Sequence, residues 1–282
     1  MKKPILLDGA VGTSLWAIAE ENGVAKAPVW TYNLTHPEFA ERLHREYVEA
    51  GAKIILANTF GANGPMVRRA SKLSPEEVVR AGVRLAKTAV AGTDVQVALS
   101  AGPLSELMEP WGDLSEEEVE AIYREQIGAG MEEHPDCIVL QTFIDLDMMA
   151  VAARVALRYD VPVYCMMTFE KVGKTMMGNS VQDVIDRLEP MGVSGLGLNC
   201  SLGPDLAIPI IRTFAEKAHT KIFFKPNAGL PKTDYSGKTV VPYDAQTFAA
   251  EIAPALDCVD YVGGCCGCDP SYVRALAALL NQ

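Results

Sequence analysis

The chain has 282 residues, of which 49% are hydrophobic and 22% are charged. This length and composition are typical of a folded domain with a sizeable core, and they exclude disordered, collagen-like and coiled-coil proteins. The formal net charge of -11 disfavours non-specific binding to phosphate backbones and to anionic lipid surfaces, because a negative protein repels both. We therefore expect no nucleic-acid partner and no membrane partner.

The first residues do not form a targeting signal. The apolar run that follows Lys2 and Lys3 stops at Asp8, which is too short for the core of a signal peptide. No apolar stretch approaches the roughly 18 residues that would span a bilayer. Seven cysteines are too sparse and odd in number for a disulfide scaffold. We expect a cytoplasmic protein whose cysteines are thiols.

Eight short β-rich runs recur along the chain. They are almost continuously apolar, which is typical of strands that are buried on both faces of a parallel sheet. The eight predicted strands cover residues 5–7, 53–57, 95–99, 137–140, 161–167, 195–198, 221–224 and 259–263.

Segments with helical spacing lie between these runs. Two of them open with Ser-x-x-Glu, at Ser74 and at Ser115, which favours a capping box at the start of a helix. The predicted helices cover residues 37–50, 74–91, 115–129, 146–159, 180–191, 204–218, 245–255 and 270–280.

Strict alternation of eight strands and eight helices predicts an α/β protein with a (β/α)8 TIM barrel, in a single domain over residues 1–282. A doubly wound open sheet is the alternative. It usually has fewer strands, and the first strand is not followed by the Gly-x-Gly-x-x-Gly of a dinucleotide site.

Three cysteines follow the ends of predicted strands. Cys200 follows the sixth strand, and Cys265 and Cys266 follow the eighth. In a barrel these ends meet at the face where active sites are built. Three thiolates suit Zn²⁺ and leave its fourth position open, whereas a structural zinc site needs a fourth protein ligand. We therefore expect a catalytic zinc site.

The ligand type indicates the reaction. Three thiolates and one Zn²⁺ leave a net charge of about -1, which makes the metal a poor Lewis acid for hydrolysis. Such a metal can still hold a substrate thiol as a thiolate at neutral pH, and that sulfur remains nucleophilic. The pattern predicts alkyl transfer to sulfur.

Five sequence strings resemble the homocysteine S-methyltransferase family: LLDGAVGTSL, ANTFGAN, GLNCSLGP, PNAGLP and VGGCCGCDP. The resemblance runs from about residue 4 to residue 280 and is strongest to the homocysteine-binding barrel of cobalamin-dependent methionine synthases. It implies a (β/α)8 barrel with zinc held by Cys200, Cys265 and Cys266. It further implies that the homocysteine sulfur is the fourth ligand and that methionine is the product.

The resemblance also implies roles around the metal. Asn227, in the PNAG string, is similar to a residue that occupies the open zinc position until substrate arrives. The residues that would form the amino-acid-binding surface are Asp8, Gly9, Ala10, Ala228 and Gly229.

Three features depart from the family pattern. The family commonly has Glu before Thr-Phe at the end of the fourth strand, where it holds the substrate ammonium, but this chain has Gln141. An amide can still contact the acceptor but lacks the charge-assisted hydrogen bond, so a thiol without an ammonium group is an alternative to homocysteine. Cys268 stands where relatives have a small residue such as Thr, and it is interpreted as a spectator thiol. The chain also ends soon after the barrel.

Because no folate or corrinoid domain follows the barrel, the methyl donor is expected to be a small molecule or a separate methyl-corrinoid protein. One alternative is therefore a methyltransferase component that works with a separate corrinoid protein on a different donor or thiol acceptor. Another is a metal-free redox barrel in which the vicinal Cys265 and Cys266 cycle as a disulfide. Lys225, at the end of the seventh strand, receives no role.

Overall fold

The computed structural model describes residues 3–229, 232–233 and 239–281. The strands form two sheets, a two-stranded antiparallel sheet of β8 (Lys232–Thr233) and β9 (Thr239–Val240) and a main sheet of eight strands. The main sheet contains β1 (Ile5–Leu6), β2 (Ile54–Leu56), β3 (Gln96–Ala101), β4 (Cys137–Phe143), β5 (Val163–Met167), β6 (Gly195–Asn199), β7 (Lys221–Lys225) and β10 (Tyr261–Val262).

The eight strands of the main sheet are parallel and follow the order β1, β10, β7, β6, β5, β4, β3, β2. A parallel bridge between Leu7 and Ile54 joins the two ends of this order. The Lys53 amide donates to the Leu6 carbonyl at 2.7 Å at the same junction. The structure therefore confirms the predicted TIM barrel in a single domain, and β7 lies between the two strands that carry the clustered cysteines.

Eleven α-helices occur in the described residues. They are α1 (Val11–Glu21), α2 (Tyr32–Thr35), α3 (Pro37–Glu49), α4 (Gly64–Ala70), α5 (Pro75–Val90), α6 (Glu116–Met131), α7 (Leu146–Ala156), α8 (Val181–Leu188), α9 (Pro204–Lys217), α10 (Ala245–Ile252) and α11 (Pro270–Leu280). None of them is long and apolar enough to cross a membrane.

The helix starts follow from local capping. At α6 the Ser115 side chain accepts from the Glu118 amide, and the Glu118 carboxylate accepts from the Ser115 amide in return, which completes the predicted capping box. At α5 Ser74 accepts from the Glu77 amide at 3.3 Å, but its hydroxyl donates to Glu76 instead, so this box is incomplete. Both serines nevertheless satisfy a free N–H of the first turn.

Two layers of apolar side chains hold the barrel together. The larger layer lies between the sheet and the helices, and the smaller one fills the inside of the barrel. In the interior, the rings of Phe223 and Tyr261 stack with centroids 4.0 Å apart, and Tyr164 packs on Phe223 at 4.3 Å. These three aromatic residues contribute to a packed barrel core, so it is not a pore.

Candidate metal centre and substrate cavity

Three thiols converge beyond the carboxyl ends of β6 and β10. The Sγ atoms of Cys200, Cys265 and Cys266 all lie within 4.8 Å of one another, and those of Cys200 and Cys266 are 3.7 Å apart. The structure joins Cys200 to Cys265 as a disulfide, with Cα atoms 5.5 Å apart, and leaves Cys266 as a free thiol. The disulfide therefore crosses between two strand ends and is not the vicinal pair considered from the sequence.

The donor set fits zinc once it is reduced. Two sulfurs that each lie ~2.3 Å from one tetrahedral zinc are separated by about 3.8 Å, which the pair Cys200 and Cys266 already matches. Zinc would bind Cys200 and Cys265 as thiolates, whereas the disulfide holds the same two sulfurs in the oxidised state. The metal and the disulfide therefore exclude each other. Asn227, which was predicted to occupy the open zinc position, has a buried side-chain oxygen. This Oδ1 atom has no hydrogen-bond partner among the described residues.

Cys200 is positioned by an unusual turn after β6. Cys200 and Ser201 have φ angles of +59° and +55°, in the left-handed region that side chains with a Cβ disfavour by about 1–2 kcal/mol per residue. The Cys200 amide donates to the carbonyl of Lys225 at 3.1 Å, which ties the turn to the end of β7. Backbone strain is thus concentrated at a predicted metal ligand.

Cys265 and Cys266 are held by the chain that follows β7. The Cys265 amide donates to the Pro226 carbonyl at 2.8 Å, and the Ala228 amide donates to the Cys266 carbonyl at 3.0 Å. Gly264 must lack a side chain, because a Cβ there would lie 2.7 Å from the Sγ of Cys268. The glycines of this loop therefore allow the backbone to bring two adjacent thiols to the cluster.

Asn199, the last residue of β6, links the thiols to β4. Its Oδ1 accepts from the Thr142 amide at 2.8 Å, and its Nδ2 donates to the Thr142 hydroxyl at 2.8 Å. The same Nδ2 lies 3.4 Å from Oε1 of Gln141 and 3.6 Å from Sγ of Cys265. Sequence reasoning assigned Asn199 no role, although its place directly before Cys200 at a strand end was a usable signal.

Tyr47 of α3 fastens the loops that follow the first and last strands of the barrel. Its buried hydroxyl donates to the Ala10 carbonyl at 2.8 Å and lies 3.2 Å from the Cys268 carbonyl. The Ala10 amide also donates to the Cys268 carbonyl at 2.8 Å. The loop of the DGA string and the cysteine loop therefore form one hydrogen-bonded unit.

A cavity of about 460 Å³ opens beside the thiols at this end of the barrel. Three of the predicted substrate-binding residues line it, namely Gly9, Ala10 and Gln141, together with all three clustered cysteines. Most of the remaining wall is apolar. The larger apolar side chains of the wall are Val11, Trp16, Val29, Trp30, Leu56, Phe60 and Met66.

Asp8 and Lys225 form a buried ion pair next to this cavity. The Lys225 Nζ lies 2.5 Å from Oδ1 of Asp8, and the Leu56 amide donates to Oδ2 at 2.7 Å. Burial raises the pKa of Asp8 above its ordinary value of 3.8, although the Lys225 charge opposes that shift. Lys225 lines the cavity, whereas Asp8 does not. Contact of Asp8 with an acceptor stays a prediction.

The other predicted residues lie at the end of β7. Asn227, Ala228 and Gly229 do not line the cavity as the structure describes it, so their contact with substrate or metal also stays a prediction. Cys268 is fully buried outside the thiol cluster, and burial raises the pKa of its thiol well above the usual range. Its interpretation as a spectator thiol stays a prediction.

The chain matches a known protein family over nearly its whole length. The model of the homocysteine S-methyltransferase family matches residues 5–280. A methionine synthase of Mycobacterium tuberculosis is 29% identical, over 96% of this chain and 24% of its own length. Betaine–homocysteine S-methyltransferase 1 of Xenopus tropicalis is 28% identical, over 92% of this chain and 69% of its own length.

Solved structures show the same fold. The metallated form of the homocysteine methyltransferase MmuM from Escherichia coli superposes with a TM-score of 0.80 at 22% identity, covering 99% of this chain and 96% of that one. The chain spans only about a quarter of the length of the methionine synthases that it matches. Because the family model covers nearly the whole barrel, including the thiol cluster, the chain belongs to the homocysteine S-methyltransferase family.

Proposed function

We propose that the protein is a zinc-dependent thiol S-methyltransferase. The observation that carries the proposal is the convergence of Cys200, Cys265 and Cys266 within 4.8 Å at the carboxyl end of the barrel, beside a cavity. Family membership supports methyl transfer to a thiol, and three soft sulfur donors with no fourth Cys, His, Asp or Glu beside them among the described residues support an open metal position.

Some residues of the site would hold the metal, and others shape the cavity. In the reduced chain the three thiolates would hold zinc, which supplies a Lewis acid that keeps an acceptor thiol deprotonated at neutral pH. The Asn199 amide would donate to Cys265 and so fix the direction of that ligand. The apolar wall around Trp16 and Trp30 would provide the acceptor with an apolar surface to pack against.

Methyl transfer to the thiol can be written as a step in which atoms and electrons balance. The thiol proton leaves to solvent, the acceptor sulfur forms a bond to the methyl carbon, and the bond between methyl and donor breaks with its electron pair on the donor. Family membership makes homocysteine the expected acceptor and methionine the expected product. The donor would be a methylated small molecule or a methyl-corrinoid protein.

Metal analysis of the reduced chain tests this proposal. We expect about one zinc per chain in the wild type and none after Cys266→Ser, which removes the clustered thiol that the disulfide leaves free. Cys258→Ser is the matched control, because Cys258 is a half-buried thiol outside the cluster and should not affect zinc. The zinc-loaded wild type should also methylate a small thiol when methylcobalamin or a methylated small molecule is supplied.

Two results would contradict the proposal. A reduced chain that binds no zinc would favour a metal-free redox barrel, whose disulfide in this structure joins Cys200 to Cys265 and not the vicinal pair Cys265 and Cys266 expected from the sequence. Equal zinc loss in the Cys258→Ser control would show that the metal is not held by the cluster.

A further inference from the structure

Thr142 lies on an irregular part of β4. Leu140 pairs with Cys165 of β5 and Phe143 pairs with Met167, so β4 contains one residue more than its partner between these two pairs. Such a β-bulge redirects side chains at a strand end. The φ angle of Thr142 is +68°, in the left-handed region that β-branched residues rarely adopt. The bulge therefore places a strained residue in the wall of the cavity.

Backbone strain is concentrated at this end of the barrel. Among the described residues other than glycine, four have a positive φ angle, and three of them are Thr142, Cys200 and Ser201. The fourth, His134, lies before the start of β4 at the opposite end of the strands. Strain that collects around one cluster of side chains is typical of a functional site. Thr142 is the residue of this group that has no role in the thiol cluster itself.

Thr142 binds both ends of the Asn199 side-chain amide. Its backbone N–H donates to Oδ1 at 2.8 Å, and its hydroxyl accepts from Nδ2 at 2.8 Å. Because a backbone N–H only donates, the oxygen of Asn199 must face it, and the opposite orientation of the amide is excluded. The second hydrogen of Nδ2 is left for Sγ of Cys265 at 3.6 Å and Oε1 of Gln141 at 3.4 Å.

A donor beside Cys265 bears on the metal, because zinc binds cysteine as a thiolate. A hydrogen bond to the charged form of a group stabilises that form, and partners behind a ligand fix its direction. From these contacts we propose that Thr142 is a positioning residue of the metal centre, which acts by holding the Asn199 amide with its nitrogen towards Cys265. This inference rests on the proposed zinc-dependent function and adds a residue to the machinery of the same site.

Conservative variants of Thr142 test the inference through metal affinity. Thr142→Val keeps the shape of the side chain and removes the hydroxyl, so we expect the zinc affinity of the reduced chain to fall about tenfold, measured by competition with a chelator. Thr142→Ser keeps the hydroxyl and should retain the wild-type affinity. Thr168→Val is the matched control, because Thr168 is also buried at a strand end but its hydroxyl donates to the Phe143 carbonyl.

Cobalt in place of zinc adds a spectroscopic measurement. Co²⁺ takes the same kinds of ligand, and its thiolate charge-transfer absorption depends on the electron density of the bound sulfurs. We expect this absorption to shift in Thr142→Val and to stay unchanged in Thr168→Val. Adding Thr142→Val to Asn199→Ala should cause no further loss of zinc affinity, because the donor that Thr142 holds is already absent.

Thr142→Gly separates positioning from stability. Glycine adopts a φ angle of +68° without strain, so this variant should be at least as stable as Thr142→Val and should lose zinc affinity to the same extent. It decides the matter if Thr142→Val fails to fold. Wild-type zinc affinity in the folded variants that lack the hydroxyl, or an equal loss in Thr168→Val, would overturn this inference and leave the proposed function standing. A reduced wild type that binds no zinc would overturn both.

Discussion

The Nζ atom of Lys225 lies 2.5 Å from Oδ1 of Asp8, and neither side chain is more than 2% exposed. This ion pair joins the end of β7 to the loop after β1 across 217 residues of sequence. In a low-dielectric interior each charge is tolerated because the other is present. The pair is therefore part of the frame that holds the strand ends beside the thiols.

Removing one charge of this pair should destabilise the fold. Lys225→Met leaves Asp8 buried without its counter-ion, so we expect the free energy of unfolding to fall by about 3–5 kcal/mol, measured by urea denaturation. Lys53→Met is the control, because its pair with Asp94 is exposed and should contribute less than about 1 kcal/mol.

The double variant D8N/K225M makes this prediction specific. It removes both charges, so it should be more stable than Lys225→Met alone. If the losses of unfolding free energy from the two single substitutions simply add in the double variant, the two charges do not depend on each other and this prediction is wrong.

Metal removal should change the number of free thiols. In the reduced, zinc-loaded chain we expect seven cysteines to react with a thiol reagent after denaturation and chelation. After chelation of the folded protein followed by mild oxidation, we expect five, because Cys200 and Cys265 become a disulfide. Seven reactive thiols in both samples would mean that these two sulfurs do not pair in solution.

Asn199 should influence zinc binding without being a ligand. Asn199→Ala removes the hydrogen bonds to Thr142 and the donor near Cys265, so we expect zinc affinity to fall about tenfold or more, measured by competition with a chelator. Asn33→Ala is a suitable control, because Asn33 is also buried and hydrogen-bonded but does not contact the thiol cluster. Equal losses of zinc affinity in both variants would point to general destabilisation.

The barrel could be predicted because its strands and helices carry local signals. Apolar runs such as Val163–Met167 are buried on both faces, and Ser115 caps its helix through the side chain expected from the sequence. The helices α1, α2 and α4 were missed. Helix α2 has only four residues, and helices α1 and α4 follow glycine-containing segments at Gly9 and Gly61 that are typical of loops, where tertiary contacts decide whether the segment becomes helical.

The site was predictable in part. Strand order alone predicts that Cys200 and Cys265 approach one another, because parallel strand ends share one face of the barrel. The pairing of Asp8 with Lys225 and the contacts of Asn199 depend on side-chain directions across distant strands, which no local pattern encodes. Side-chain packing also determines which residues line the cavity. The sequence alone therefore could not show that Asp8 lies behind the cavity wall.

Stability should depend on pH through His44. This side chain is fully buried in α3, its ring nitrogens have no partner among the described residues, and burial lowers its pKa from 6.5 to about 4. Below pH 6.5 the unfolded chain binds a proton at His44 that the folded chain does not bind. The full stability of the fold with neutral His44 is therefore present above pH 6.5. It is lost as the pH falls towards 4, by about 3 kcal/mol in total.

Replacement of His44 should reduce that dependence. We expect the free energy of unfolding of His44→Leu to vary less between pH 7 and pH 4.5 than that of the wild type, measured by urea titration at each pH. His219→Leu is the control, because that side chain is 91% exposed. If the free energies of unfolding of the wild type and of His44→Leu change with pH to the same extent, His44 is not the source of the pH dependence.

The hydroxyl of Tyr47 connects the loop at Ala10 with the loop at Cys268, and two of the three clustered sulfurs, those of Cys265 and Cys266, follow the last strand of the barrel. On the ribosome, Cys265 and Cys266 emerge only after nearly all other strands have been synthesised. The three-thiol site proposed for zinc can therefore be completed only after nearly the whole barrel has been synthesised.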